Sequence, residues 1–97
     1  MMQRFVWDEE KARTNLRKHR VSFETAVRVF TDPHARTVQE RIEGGEYRWQ
    51  TLGMVGGITL LLVAHTLEEA PDNGEVIRII SARRTDPKER KRYEQNC

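Results

Sequence analysis

Ninety-seven residues can build one modest core, so the chain reads as a single domain spanning positions 1–97. Hydrophobic residues are 37% and charged residues 33%, yet the apolar ones fall in periodic blocks, which argues against a disordered chain. The net charge of +2 conceals an asymmetry: from Arg78 onward seven Lys/Arg stand against three acids, giving +4, and a second basic cluster is Arg17-Lys18-His19-Arg20. Such clusters suit contact with a polyanion at particular places, or a solvated charged face. The longest apolar run, residues 58–64, is far too short for a membrane-spanning helix. A single cysteine, Cys97, and an N-terminus without an apolar leader segment predict a soluble protein of the reducing cytoplasm, away from membranes.

Residues 3–7 form a short β-prone start. Asp8 then suits a helix N-cap, with Glu9 and Glu10 in the first turn and Arg17, Lys18 and His19 in the last, an order that complements the helix dipole. Ala12, Leu16 and His19 follow helical spacing, which places His19 near the buried stripe. Ser22 caps a second helix whose apolar face is Phe23, Ala26, Val27 and Phe30, and Thr31-Asp32-Pro33 stops it.

A β-meander follows. Gly44-Gly45 and Gly56-Gly57 each suit a two-residue hairpin turn. Tight turns at both places would gather Val38, Ile42, Tyr47, Trp49, Thr51, Leu62 and Ala64 on one helix-covered face. The opposite face would then carry Gln39 beside Gln50, and a row of Arg41, Arg48 and His65. Two arginines flanking His65 would lower its pKa, and like charges set opposite each other call for an anion or carboxylate between them. Alternatively, both arginines splay into solvent. Residues 67–74 read as a polar loop and 76–82 as the last strand, from whose end Arg83 and Arg84 emerge. Asp86, Pro87 and Glu89 open a C-terminal helix that carries Arg90 and Tyr93 on one face. The whole is an α+β domain: two N-terminal helices, a mainly antiparallel sheet and a C-terminal helix.

No metal-ligand spacing, phosphate-cradling GxxxxGK[ST] loop or GxSxG elbow occurs, and no cofactor is expected. What remains is a set of arginines, a lysine, histidines, a tyrosine and a glutamate. Metal-free RNA cleavage needs such groups: imidazole for proton transfers, and guanidinium for the charge growing on the phosphate.

The stretch Phe5-Val-Trp-Asp8 through Lys11, then Asn15-Leu16, Lys18-His19, Val21-Ser-Phe23, Ala26 and Val29-Phe30, resembles the opening of BrnT-type toxins. Gly53, His65-Thr66, Arg78-Ile-Ile-Ser-Ala-Arg83, Glu89-Arg90 and Tyr93 agree in the closing half. The chain departs from that pattern at Arg20, where the family commonly has glycine. The resemblance implies a RelE-like fold and a ribonuclease toxin that blocks translation. It also implies neutralisation by a cognate antitoxin encoded beside it, with operator DNA met only through that antitoxin. It marks Lys18, His19, His65, Arg83, Glu89, Arg90 and Tyr93 as candidate catalytic residues, without assigning base and acid, and Arg84 joins Arg41 and Arg48 as a candidate RNA contact. Arg83 and Arg90 look best placed, one ending a strand and the other facing back from the next helix.

Each candidate has a structural alternative. His19 suits a helix C-terminus, Lys18 a solvated charge, Tyr93 a core aromatic and Glu89 a capping box with Asp86. A non-catalytic nucleic-acid-binding or transcription-regulating module, or an inactive interaction subunit, would use the same basic clusters.

Overall fold

The computed structural model describes residues 3–95; Cys97 lies outside that range. Strand β1 (Gln3–Val6) leads into α1 (Glu9–His19), which Asp8 opens by accepting the Glu10 amide at 3.0 Å. Ser22 caps α2 (Phe23–Val27) by accepting the Thr25 amide at 3.0 Å. From Arg28 to Thr31 the chain tightens into a 3₁₀ turn. The expected apolar face changes as a result. Phe23, Ala26 and Val29, three apart, are fully buried, while Val27 and Phe30 pack at the rim. Phe23 and Ala26 are one helical turn apart in α2, and the 3₁₀ turn, with three residues per turn, brings Val29 onto the same side.

Four long strands follow: β2 (Arg36–Glu43), β3 (Glu46–Val55), β4 (Thr59–Glu69) and β5 (Glu75–Arg84), then α3 (Pro87–Glu94). The sheet order is β1-β5-β4-β3-β2, with β1 parallel to β5 and every other pair antiparallel. Each face carries a core, while β2 with its Ile42, and Tyr47 opposite on β3, stay largely exposed. Phe23, Ala26 and Val29 close a core over Leu61, Val63, Ile77 and Ile79, and Tyr93 of α3 closes a second over Leu52, Leu60 and Leu62. Gly53 lets the 3₁₀ turn lie directly on β3: a Cβ there would sit 2.6 Å from Val29 Cβ and 2.9 Å from its carbonyl oxygen.

The hairpin registers depart from the expected ones. Around Gly44-Gly45, Arg41 does face Arg48, but a bulge between Gln39 and Arg41 sets Gln39 opposite Trp49, and Gln50 opposite Val38. At the second turn Gly56 and Gly57 both take positive φ, yet the loop also includes Ile58, so Val55 pairs with Thr59. A three-residue loop instead of two slips β4 by one position, and a one-residue slip exchanges the faces of a strand. His65 therefore faces Trp49, not Arg48. The row of Arg41, Arg48 and His65 is not formed, and the single apolar face is divided: Leu62 packs with the α3 core, whereas Thr51 is opposite Val63 of the other.

β1 pairs with β5 only at Glu75 to Arg78, which leaves the second half of that edge without a strand neighbour. Asn15 of α1 fills the gap. Its Nδ2 donates to the carbonyls of Ala82 and Val21, each at 2.9 Å, and its Oδ1 accepts the Ala82 amide at 3.0 Å. This buried amide, one turn on from Ala12, occupies the stripe where Leu16 was expected; Leu16 is half exposed. The helix thus ends against a strand edge, which positions its last turn beside β5.

Candidate functional site

Two clefts meet along that edge. One, of about 300 Å³, lies between α1 and β5 and is lined by Lys18 and His19 from the last helical turn. The other, of about 320 Å³, opens on the α3 side of the sheet and is lined by Arg41, Arg48 and Arg83 with Glu40 and Glu43. Ile80 and Ser81 line both. They sit at the irregularity where β5 passes from pairing His65–Ile79 to Ala64–Ser81, so that Ile80 is the extra residue. A bulge locally bends a strand. Here the bulged residues Ile80 and Ser81 line both clefts, which adjoin across the β5 edge and are together termed the groove.

The arginines are held differently. Arg83 makes a bidentate pair with Glu89, at 2.9 and 2.7 Å, and also donates to the Arg84 carbonyl at 3.1 Å. Glu89 in turn accepts the Asp86 amide at 2.9 Å, while Asp86 accepts the Glu89 amide at 2.8 Å, closing the capping box of α3. The Arg83 hydrogen bonds hold the Glu89 carboxyl below its ordinary range, outweighing its burial. Glu89 thus faces Arg83 and positions it. Arg41 and Arg48 are tied more loosely, with carboxylate oxygens of Glu40 and Glu43 at 3.5–3.8 Å. The Nε of Arg48 is buried without a hydrogen-bond partner, the one such side-chain nitrogen among the described residues.

Other candidates lie elsewhere. Arg90 is exposed on α3 and reaches Glu94 of its own helix at 3.7 Å, instead of facing back toward Arg83. Tyr93 is a core aromatic whose hydroxyl donates to Asp32 at 2.5 Å. Asp32 also accepts the amides of Met54 and His34, and these bonds outweigh burial to hold its carboxyl low. Arg84 points into a third cleft with Arg20 and Arg28. Neither Asn15 nor Asp32 was singled out as a structural hub from the sequence; a polar residue on the apolar stripe of α1 was the available signal for the first.

His65 is fully buried, with its ring edge-on to Phe30 at 5.1 Å between centroids. The Thr66 carbonyl can only accept, so Nδ1 donates to it at 3.2 Å and Nε2 accepts the Thr51 hydroxyl at 2.7 Å. The imidazole is therefore a core hydrogen-bond group that cannot touch a substrate. Burial pushes its pKa below the usual histidine value, against smaller opposing pulls from Thr66 and Glu75. The direction is the one expected from the sequence, but the arginines are not its cause. In the unfolded chain His65 takes a proton as pH falls through about 6.5, while in the fold it resists, so stability must drop as pH falls below that value. Asp32 and Glu89, whose folded pKa values are depressed, lose their contributions only in the lower, carboxylate range. Urea unfolding between pH 7 and 5 should show this decline, and His65→Gln should flatten it.

A small α+β domain with a groove of lysine, histidine and arginines is equipped to hold an anionic backbone. The sequence matches the family model described as the ribonuclease toxin, BrnT, of type II toxin-antitoxin systems, over residues 7–89, and the chain belongs to that family. Among solved structures, the Brucella abortus ribonuclease toxin BrnT is similar, with a TM-score of 0.65 at 22% identity, covering 89% of this chain and 99% of that one. At that identity the likeness is one of fold. No curated protein sequence matches the chain. The family match takes in Lys18, His19, Arg41, Arg48, Arg83 and Glu89 and stops before Arg90 and Tyr93. No described helix is long and apolar enough to cross a membrane.

Proposed function

We propose that this chain cleaves RNA in the groove around the β5 edge, without a metal ion, and that the cleavage inhibits translation until a cognate protein antitoxin neutralises it. The carrying observation is Arg48: it lines a cleft with Arg41 and Arg83, its guanidinium has only a long contact to Glu43, and its buried Nε has no partner to hold it, which leaves the fork free to turn toward an anion. A phosphate there would displace the long contacts to Glu40 and Glu43, while the tighter Arg83–Glu89 pair keeps one fork fixed.

The chemistry divides across Ile80 and Ser81. A ribose 2′-oxygen attacks the adjacent phosphorus as it loses its proton, the bond to the 5′-oxygen breaks, and that oxygen gains a proton. A 2′,3′-cyclic phosphate and a 5′-hydroxyl result. His19 is the imidazole on the groove and serves the proton transfers, Lys18 and the arginines neutralise the phosphate, and Glu89 positions Arg83. The family supplies the ribonuclease and the toxin; the groove supplies groups suited to both halves of the step.

Expression of the chain alone in a bacterial host should arrest growth and lower translation, with RNA fragmenting in the same interval. Co-expression of the protein encoded beside it should restore both. Unchanged growth at high soluble expression would sink the reading.

A further inference from the structure

The third cleft, at about 430 Å³, is larger than either part of the groove and shares no lining residue with it. It is formed where the end of α1, the start of α2 and the β3–β4 hairpin meet. Arg20, Arg28 and Arg84 line it, and no acidic side chain does. Among the described residues none of the three has a carboxylate within ion-pair distance, whereas each groove arginine has at least one. Beside them stand two exposed aliphatic residues, Ile58 (82% exposed) and Leu16 (50%).

Two features bear on the occupant. The lining has no aromatic residue, and single-stranded RNA is usually gripped by stacking bases on aromatic rings. Bare aliphatic groups between unpaired guanidiniums instead match a polypeptide with apolar side chains flanked by carboxylates. Arg20 also holds left-handed backbone, φ 62°, where glycine would be relaxed, so a charge is kept at a position that disfavours a side chain.

We propose that this cleft docks an acidic, amphipathic segment of the partner antitoxin, with aliphatic side chains on Leu16 and Ile58 and carboxylates on Arg20, Arg28 and Arg84. The inference rests on the reading that a protein antitoxin neutralises this chain. The antitoxin is thereby anchored away from the groove, and the toxin's catalytic groups need not supply its binding energy.

The test uses the purified product of the neighbouring gene as probe. Its affinity is measured for the wild-type chain, Arg28→Glu, Ile58→Ser and Leu16→Ser, and RNA cleavage is measured for each without it. All three positions are exposed, Leu16 lies on a different element from Ile58, and retained cleavage certifies the fold. Each variant should cleave as the wild type does and bind roughly 30-fold more weakly or worse, with Arg28→Lys recovering much of the affinity. Variants that bind as tightly as the wild type would overturn the docking site. So would variants that keep antitoxin affinity but lose RNA cleavage, which would give the cleft to RNA. A wild-type chain that does not bind the probe at all would instead overturn the antitoxin reading, and the inference with it.

Discussion

Asn15→Ala is expected to destabilise the fold by about 3 kcal/mol, because it orphans buried backbone groups at a strand edge. The side chain makes three hydrogen bonds, two to Ala82 and one to Val21, and Asn15 is buried. Each buried group left without a partner costs about 1–3 kcal/mol, and the three share one site, so the costs do not simply add. For a domain of this size the melting midpoint should fall by roughly 10–25 °C. Asn15→Asp keeps the acceptor for the Ala82 amide but sets a carboxylate against two carbonyl oxygens, and should be no better tolerated. Thr14→Ala, at the exposed neighbouring position, should change the midpoint by only a few degrees. Thermal unfolding of the three variants decides the point, and a melting midpoint for Asn15→Ala within a few degrees of wild type would show that the edge is held by something else.

The same residue shows where sequence reasoning runs out. Caps are local, so Asp8, Ser22 and Asp86 announced the three helices, and both glycine pairs marked real hairpins. Loop length is also local but is not fixed by Gly-Gly alone. The inclusion of Ile58 in the second loop moved every partner of β4 by one position and carried His65 from an imagined arginine row into the core. Asn15 could not be read as an edge cap, because the gap it fills exists only once β1 proves too short to cover β5. Of the site, Arg41 beside Arg48 survived because their pairing depends only on the first turn. Lys18 and His19 were legible at the basic end of α1, but their neighbours across Ile80 and Ser81 depend on a bulge with no sequence signature.

Arg48→Ala is the second large effect, and it separates activity from stability better than changes at Arg83. Removing Arg83 would strand the Glu89 carboxylate, whose side chain is only 11% exposed, so folding and catalysis would fall together. Arg48 is also largely covered, with 22% of its side chain exposed, but its Nε has no partner to orphan and its contact to Glu43 is long. Its loss should lower the melting midpoint by only a few degrees, the cost of its covered stem. Loss of one aligned donor to a phosphate in the transition state costs roughly 10²-fold or more in rate. Arg48→Lys keeps the charge but not the planar fork and should recover only part of that.

The most direct measurement is single-turnover cleavage of a defined RNA by the purified chain, with chelator present, comparing wild type, Arg48→Ala and His19→Ala after each is shown to be folded. Cleavage should persist in chelator, end in a cyclic phosphate, and fall by roughly 10²-fold or more in each variant. Folded Arg48→Ala and His19→Ala proteins that cleave at the wild-type rate would contradict the placement of the reaction in this groove.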